Sequence, residues 1–145
     1  MALSIHRHQH RVTYADCTVG NHVYHGRYLE LLEAARGEFF RHLGVTFLDW
    51  QNRQLIFPVV ECRLRFRTPA RYDDVLTIDT WLSEARKVRL IFCYRLANQN
   101  GQRVLDAETV HLATNLEDKM TRLPAELLGR LAPYVQAAEV APRSE

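Results

Sequence analysis

The sequence predicts an α+β fold in which an antiparallel β-sheet wraps around one long central α-helix. Between Tyr24 and Leu43, apolar residues recur every three or four positions, which is the pattern of a helix with a wide buried face. From Gln54 onward the alternation changes to a period of two, as in strands with one buried face. A helix this apolar must be covered, and the strands are the available cover.

The elements follow in a simple order. Gly20 and Asn21 tolerate left-handed backbone conformations, so the first strand gives way to a loop before the helix. The helix begins near Tyr24 to Gly26 and stops at Gly44. Short turns, including the hairpin signal Asn100-Gly101, favour antiparallel pairing. We predict strands at 4–15, 54–67, 74–85, 87–97 and 103–116, a helical turn at 47–51 and a short helix after Pro124.

Composition points to one soluble domain. The chain has 145 residues, of which 47% are hydrophobic and 25% charged, and its net charge is +2. We expect a single domain over 1–136 and a tail over 137–145. The balanced charge argues against nucleic acid as a partner, and no apolar run is long enough to span a membrane. The three cysteines are odd in number and suit a reducing compartment, so we expect a cytoplasmic protein.

Several motifs in the predicted order resemble those of a known family. They are Tyr14, Asp16, Val23-Tyr24-His25, Tyr28-Leu29, Leu32-Glu33-Ala34-Ala35-Arg36, Val60-Glu61, Pro69-Ala70-Arg71-Tyr72-Asp73-Asp74 and Arg122-Leu123-Pro124. Together they resemble the hotdog-fold thioesterases, in particular the 4-hydroxybenzoyl-CoA thioesterase family and the acyl-CoA thioesterases associated with the Tol-Pal system. The resemblance implies a hotdog fold, hydrolysis of acyl-CoA without a cofactor, and a homodimer or a dimer of dimers (a homotetramer). It also implies an active site between two subunits.

The chain departs from the family pattern at one catalytic position. The family loop usually reads D-x-D-x-x-G, and its second aspartate is the usual catalytic carboxylate. Aligned without gaps from Tyr14 to Tyr28, the first aspartate is Asp16 and the second position is Thr18. A hydroxyl group is not a base near neutral pH, so the residue that activates water must be sought elsewhere.

Three residues are candidates for that base. His25 matches the family position and has a side chain suited to acid–base work. Glu33 would gain basicity in a shielded site, although an ion pair with Arg36 or Arg27 is an equal alternative. Asp16 either orients His25, acts as base, or only forms a turn.

The start of the helix predicts the place where the thioester carbonyl binds. Backbone N–H groups at a helix N-terminus are unpaired and carry partial positive charge. We expect the amides of His25 and Gly26 to receive the carbonyl oxygen. Thr18 and Asn21 are candidates for holding water or the carbonyl, and Tyr24 is a candidate for lining the acyl pocket.

Arginines and histidines outside this stretch have weaker signals. Arg65, Arg67, Arg86 and Arg89 are candidates for binding the phosphates of coenzyme A, against the alternative of a solvated sheet face. His6, His8 and His10 share one strand face, but we interpret them as a strand end and predict no metal site.

Two functions remain open on the sequence. The first is an acyl-CoA thioesterase, with CoA as the expected carrier and an acyl carrier protein as the alternative. The second is a non-catalytic acyl-CoA-binding or interaction protein of the same fold, which the loss of the usual aspartate at Thr18 favours. His25, Asp16 and Glu33 favour the enzyme. The resemblance does not identify the acyl group.

Overall fold

The computed structural model describes residues 3–138. A five-stranded sheet is built in the order β1-β5-β6-β7-β4, and every neighbouring pair is antiparallel, as predicted. A short hairpin of β2 and β3 stands apart from it. The elements are β1 (His6–Arg11), β2 (Cys17–Thr18), β3 (His22–Val23), α1 (Arg27–Leu43), α2 (Phe47–Asn52), β4 (Val59–Phe66), β5 (Val75–Arg86), β6 (Arg89–Ala97), β7 (Arg103–Leu112) and α3 (Ala125–Leu131).

Helix α1 lies against the inner face of the sheet, which confirms the predicted architecture. Leu32, Ala35, Phe39 and Phe40 are fully buried, because their three- and four-residue spacing places them on the side facing the strands. Arg36 is also buried, at 8% exposure, and donates a 3.0 Å hydrogen bond to the hydroxyl of Tyr94 on β6. The buried face is therefore wide, although Leu29 on the same helix remains 43% exposed.

Several predicted boundaries are wrong. The helix begins at Arg27 rather than at residues 24–26, and Gly26 is its N-cap. The first strand ends at Arg11, because a short 3-10 turn at Tyr14–Asp16 follows. Strand β4 starts at Val59 rather than at residue 54, because α2 extends to Asn52 and Gln54 then adopts a left-handed φ of 69°. The predicted stop at Gly44 is confirmed by its φ of 91°.

The connection between β4 and β5 is not the hairpin that short turns suggest. Strand β4 lies at one edge of the sheet beside β7, whereas β5 lies beside β1 near the other edge. Residues 67–74 therefore cross the end of the sheet. This crossing carries Ala70 and Tyr72 to the loop that precedes α1, where they contact Val23 and Asn21.

Within residues 3–138, strand β4 is an edge strand with an uncovered apolar side. Helix α1 packs mainly over β1 and β5, at the opposite side of the sheet. Val60 and Phe66 on β4 consequently remain 54% and 55% exposed, and Leu29 on α1 remains 43% exposed. Exposed apolar side chains beside an unpaired strand edge are the arrangement expected of a surface that binds another chain.

The predicted tail over 137–145 falls mostly outside the described residues. Of its first residues, Ala137 accepts a 3.0 Å hydrogen bond from the indole N–H of Trp81. No helix among residues 3–138 has the length and hydropathy needed to cross a membrane.

Candidate active site

The loop between β1 and α1 is held by its backbone geometry. Gly20 and Asn21 have φ values of 92° and 63°, which confirms the predicted left-handed turn between β2 and β3. The Val23 N–H donates to the carbonyl oxygen of Ala70 at 2.9 Å, and the Tyr72 N–H donates to Asn21 Oδ1 at 3.1 Å. The side chain of Asn21 therefore anchors the loop to the crossing segment.

Asp16 is the buried centre of this loop. Its side chain is fully buried, with His10 Nε2 at 2.7 Å, Arg27 Nε donating at 2.7 Å and the Thr13 N–H donating at 2.8 Å. Burial opposes ionisation, but the hydrogen bonds from Thr13, His10 and Arg27 outweigh it and lower the pKa of Asp16 to about 2. The carboxylate thus ties the end of β1 to the start of α1.

The start of α1 presents two backbone donors. Within residues 3–138, neither the His25 N–H nor the Gly26 N–H has a hydrogen-bond acceptor, whereas the Arg27 N–H donates to Tyr24 O at 2.8 Å. The His25 side chain is exposed, and its ring lies 4.5 Å from the ring of Tyr24, measured between centroids. Unpaired amides at the positive end of a helix are a ready site for an oxyanion.

Thr18 lies on the same hairpin, and among residues 3–138 its side chain forms no hydrogen bond with the candidate bases. It is exposed, and its backbone pairs with His22 across β2 and β3. The neighbouring thiol of Cys17 has a raised pKa, because of burial and the nearby carboxylate of Asp16, so it is a poor nucleophile.

Glu33 is exposed on the helix stripe that also carries Gly26, Leu29 and Arg36. Neither alternative ion pair expected for Glu33 forms among residues 3–138, because Arg27 pairs with Asp16 and Glu30 while Arg36 bonds Tyr94. Glu33 lies roughly two helical turns from Gly26, or about 10 Å along the axis.

The four arginines expected at coenzyme A form two separate pairs. Arg65 and Arg67 stand near the end of β4, close to Phe66, whose ring contacts Tyr28 of α1 at 5.7 Å. Arg86 and Arg89 are partners across the β5–β6 turn. Arg95 on β6 and Arg65 on β4 lie at the same level of the sheet, because both stand opposite Asp106 on β7. Arg89 is six residues from Arg95 along β6, so the two pairs of arginines are roughly 20 Å apart.

The three histidines of β1 share one strand face, as predicted, and the structure shows that this is the inner face, opposite Thr80, Ile78 and Leu76. His6 stacks on Phe39 at 5.3 Å, and His10 binds Asp16. No group of three or more potential metal ligands occurs in the described part of the chain. Sequence reasoning missed His10 and Arg27 as the partners of Asp16. The period-two pattern of β1 was a signal for His10, since it places this side chain on the inner face.

Comparison with known proteins identifies the family. Residues 12–131 match the family model of the thioesterase-like superfamily. The chain is 30% identical over 119 residues to the acyl-CoA thioester hydrolase YbgC of Escherichia coli, covering 81% of this chain and 89% of that protein. It is 24% identical over 106 residues to the putative acyl-CoA thioesterase YneP of Bacillus subtilis, covering 73% and 77% of the two chains.

Solved structures agree with this assignment. A probable thioesterase from Bartonella henselae superposes with a TM-score of 0.78 at 31% identity, over 83% of this chain and 100% of that one. A 4-hydroxybenzoyl-CoA thioesterase mutant complexed with 4-hydroxybenzoyl-CoA shares the fold, with a TM-score of 0.81 at 24% identity over 88% and 98% of the two chains. The chain therefore belongs to the thioesterase-like superfamily, which confirms the hotdog fold and the family predicted from its motifs.

Proposed function

We propose that this protein hydrolyses acyl-CoA thioesters at a site formed by the loop 16–26 and the start of α1 and completed by a second copy of the chain. The protein is a thioester hydrolase by family. The observation that supports the location of the site is the pair of unpaired amides at His25 and Gly26, at the positive end of a 17-residue helix.

The proposed reaction follows from these groups. The thioester carbonyl oxygen accepts hydrogen bonds from the two amides, which stabilise the negative charge as water adds to the carbonyl carbon. The base accepts a proton from that water, the C–S bond then breaks, and the CoA thiolate leaves and takes up the same proton, which gives the free acid and CoA. One good oxyanion donor contributes a factor of roughly 10² to 10³ in rate.

We rank the candidate bases by what surrounds them. His25 comes first, because it is exposed beside the amides and has no competing hydrogen bond among residues 3–138. Glu33 comes second, since it is unpaired but lies farther along the helix. Asp16 comes last, because three hydrogen bonds occupy its carboxylate and its pKa of about 2 makes it a weak base. Thr18 and Asn21 are left to position water, and Asp16 to position the loop.

The second copy is proposed to pair along β4. This strand has a free edge, and Val60, Phe66 and Leu29 leave an apolar surface beside it. Antiparallel pairing of two β4 strands would bring the start of one strand beside the end of the other, next to Tyr24 and the amides. The acyl group would then lie between the two copies, and a dimer of dimers would keep the same site.

We assign the CoA nucleotide to arginines, as the sequence suggests. Arg65 and Arg67 lie at the same end of the molecule as the loop. Arg86 and Arg89 lie at the opposite end of the sheet, at the β5–β6 turn. Antiparallel pairing of two β4 strands would bring this end of one copy beside the loop 16–26 of the other, so we propose that Arg86 and Arg89 bind the nucleotide at the partner's site. A cytoplasmic location fits the use of acyl-CoA and the free cysteines Cys17, Cys62 and Cys93.

The test is release of free thiol from a panel of acyl-CoAs, followed with a thiol reagent. We expect hydrolysis of at least one acyl class by the wild type and a loss of roughly 10² to 10⁴ in kcat for His25→Ala, the typical value of a general base. Absence of thiol release from every acyl-CoA in the panel would leave the non-catalytic binding protein as the better interpretation.

A further inference from the structure

We propose that the outer face of the sheet carries a phosphate-binding site between Arg65 on β4 and Arg95 on β6. These residues line a depression of about 130 Å³ on the face that points away from α1. Its other charged lining residues are Arg63, Arg67, Arg103, Asp106 and Glu108. The depression therefore holds five arginines against two acidic residues.

The acidic residues of the depression are already engaged. Asp106 pairs with Arg67 at 3.0 Å and with Arg103 at 3.5 Å, and Glu108 pairs with Arg63 at 3.1 Å. Strand register places Arg65 and Arg95 on either side of Asp106, each directly opposite it. Because other arginines occupy that carboxylate, neither guanidinium forms an ion pair with it.

Arg95 has no acidic partner elsewhere in the described part of the chain either. Its neighbour on the opposite strand is Asp79, and both oxygens of Asp79 bind Arg7, at 2.8 and 3.2 Å. The Nε of Arg95 is buried and lacks a hydrogen-bond partner among residues 3–138. An N–H group that has lost water and gained no acceptor is unfavourable, and a bound anion would remove that cost.

The guanidinium of Arg95 is also held in place before any ligand arrives. It lies over the ring of Trp81, 5.6 Å from its centroid, and the indole N–H of Trp81 donates to Ala137 O. A fixed guanidinium loses little freedom on binding and is suited to the fork geometry of a phosphate. Arg65 is exposed on the facing side and is free to close over the anion.

The phosphate has two sources, which experiment separates. One is the CoA nucleotide of the substrate, in which case the inference rests on the proposed function. Arg67 lies just beyond the end of β4. The pantetheine chain of CoA would pass round this end of the strand, from the nucleotide on the outer face to the thioester at the loop 16–26. The other source is a free phosphorylated ligand that binds independently of catalysis.

The first experiment measures binding without catalysis. Isothermal titration with adenosine 3′,5′-diphosphate and with inorganic phosphate is run on the full chain, on Arg65→Ala and on Arg95→Met. We expect each variant to lose roughly tenfold or more in affinity for the nucleotide. Arg95→Lys should recover part of the loss by keeping the charge. Arg41→Ala is the control, since Arg41 lies on the exposed side of α1, and it should bind as the wild type does.

The second experiment compares hydrolysis of an acyl-CoA with that of the same acyl-3′-dephospho-CoA. A higher KM for the dephospho substrate in the wild type, absent in Arg65→Ala, identifies the phosphate of the substrate. Nucleotide binding that depends on Arg65 and Arg95 without this kinetic difference identifies a free phosphorylated ligand. The proposed phosphate site would be overturned by a wild-type protein that binds neither probe, or by an equal loss of nucleotide affinity in Arg41→Ala. Nucleotide binding in a protein that hydrolyses no thioester would overturn the proposed function alone.

Discussion

At the scale of single residues, Asp16 shows how a loop carboxylate becomes a structural centre. Two cationic or potentially cationic side chains and one backbone N–H converge on its oxygens, from β1, from the loop and from α1. Asp16 lies in the loop whose motif resembles that of the family, and its surroundings suit an anchor more than a base. The same loop leaves His25 exposed. Asp16 therefore holds the loop in place, and we assign the role of the base to His25.

Replacement of the Asp16 carboxylate should change the acid stability of the fold. Since the pKa of Asp16 is lowered to about 2, the charged form adds stability above the unfolded pKa, and this contribution disappears as pH falls from about 4 to about 2. Asp16→Asn should lower the free energy of unfolding by about 2 kcal/mol at neutral pH and by much less near pH 2. Urea unfolding across this range measures the difference. An equal decrease in the free energy of unfolding at every pH would show that the charge of Asp16 does not cause the stabilisation.

The base is tested by two substitutions in the same loop. If His25 is the base, His25→Asn should lower kcat by roughly 10² to 10⁴, the typical contribution of a general base. Thr18→Asp should then change activity little or reduce it, because the site works without the usual aspartate. An inactive wild type that gains thioesterase activity from Thr18→Asp would instead indicate a lapsed enzyme and a binding function.

At the scale of elements, the start of α1 combines the positive end of a helix dipole with an accessible backbone. The helix supplies the positive end of its dipole, and Gly26 leaves the backbone accessible. A Cβ atom at Gly26 would lie 2.8 Å from Tyr24 Cε2, so a side chain there must displace the tyrosine ring. The space above the amides thus depends on a glycine whose φ of −70° any residue could adopt.

Gly26→Ala should therefore reduce catalysis more than stability. We expect kcat/KM to fall by about tenfold or more as the methyl group and the displaced ring obstruct the amides. Gly37→Ala is the matched control, because a Cβ atom there meets nothing within 4 Å and should stabilise the helix by roughly 0.5–1 kcal/mol. Equal activity of the two variants would place the reacting carbonyl elsewhere.

At the scale of the whole molecule, residues 3–138 of a single chain leave part of the sheet uncovered. The core under β1 and β5 is closed by α1, whereas the apolar side of β4 faces solvent. Burying such a surface is favourable, at about 25 cal/mol for each Å² of apolar area. A second copy would supply the cover and would also supply the other wall of the proposed site.

Val60→Glu should convert the expected homo-oligomer to monomer and abolish activity. A charge placed on the pairing strand would be buried without a partner, which costs several kcal/mol. Sedimentation at micromolar concentration and thiol release are measured on the same samples. Leu3→Glu is the control, since Leu3 is 58% exposed at the β1 side of the sheet. A wild type that is monomeric and active would remove the composite site.

The sequence by itself determined the central helix, the strands and the antiparallel wrapping. Local periodicity and turn residues decide these features, because each depends on neighbours within a few positions along the chain. The left-handed turn at Gly20 and Asn21 and the helix stop at Gly44 belong to the same group. Motifs in the right order were sufficient for the family, since they span most of the chain.

Only the tertiary structure decided the strand order, the burial of Asp16 and the division of the arginines. Strand β4 runs to the far edge of the sheet because the pairing of β5 with β1 is a contact between distant residues, which no local pattern encodes. Asp16 is an anchor because the fold brings His10 and Arg27 to it from opposite sides. Among residues 3–138 Arg95 is left without an acidic partner, although it stands opposite Asp79 and Asp106, because Arg7 binds the first and Arg67 and Arg103 bind the second, and these ion pairs form only in the assembled sheet.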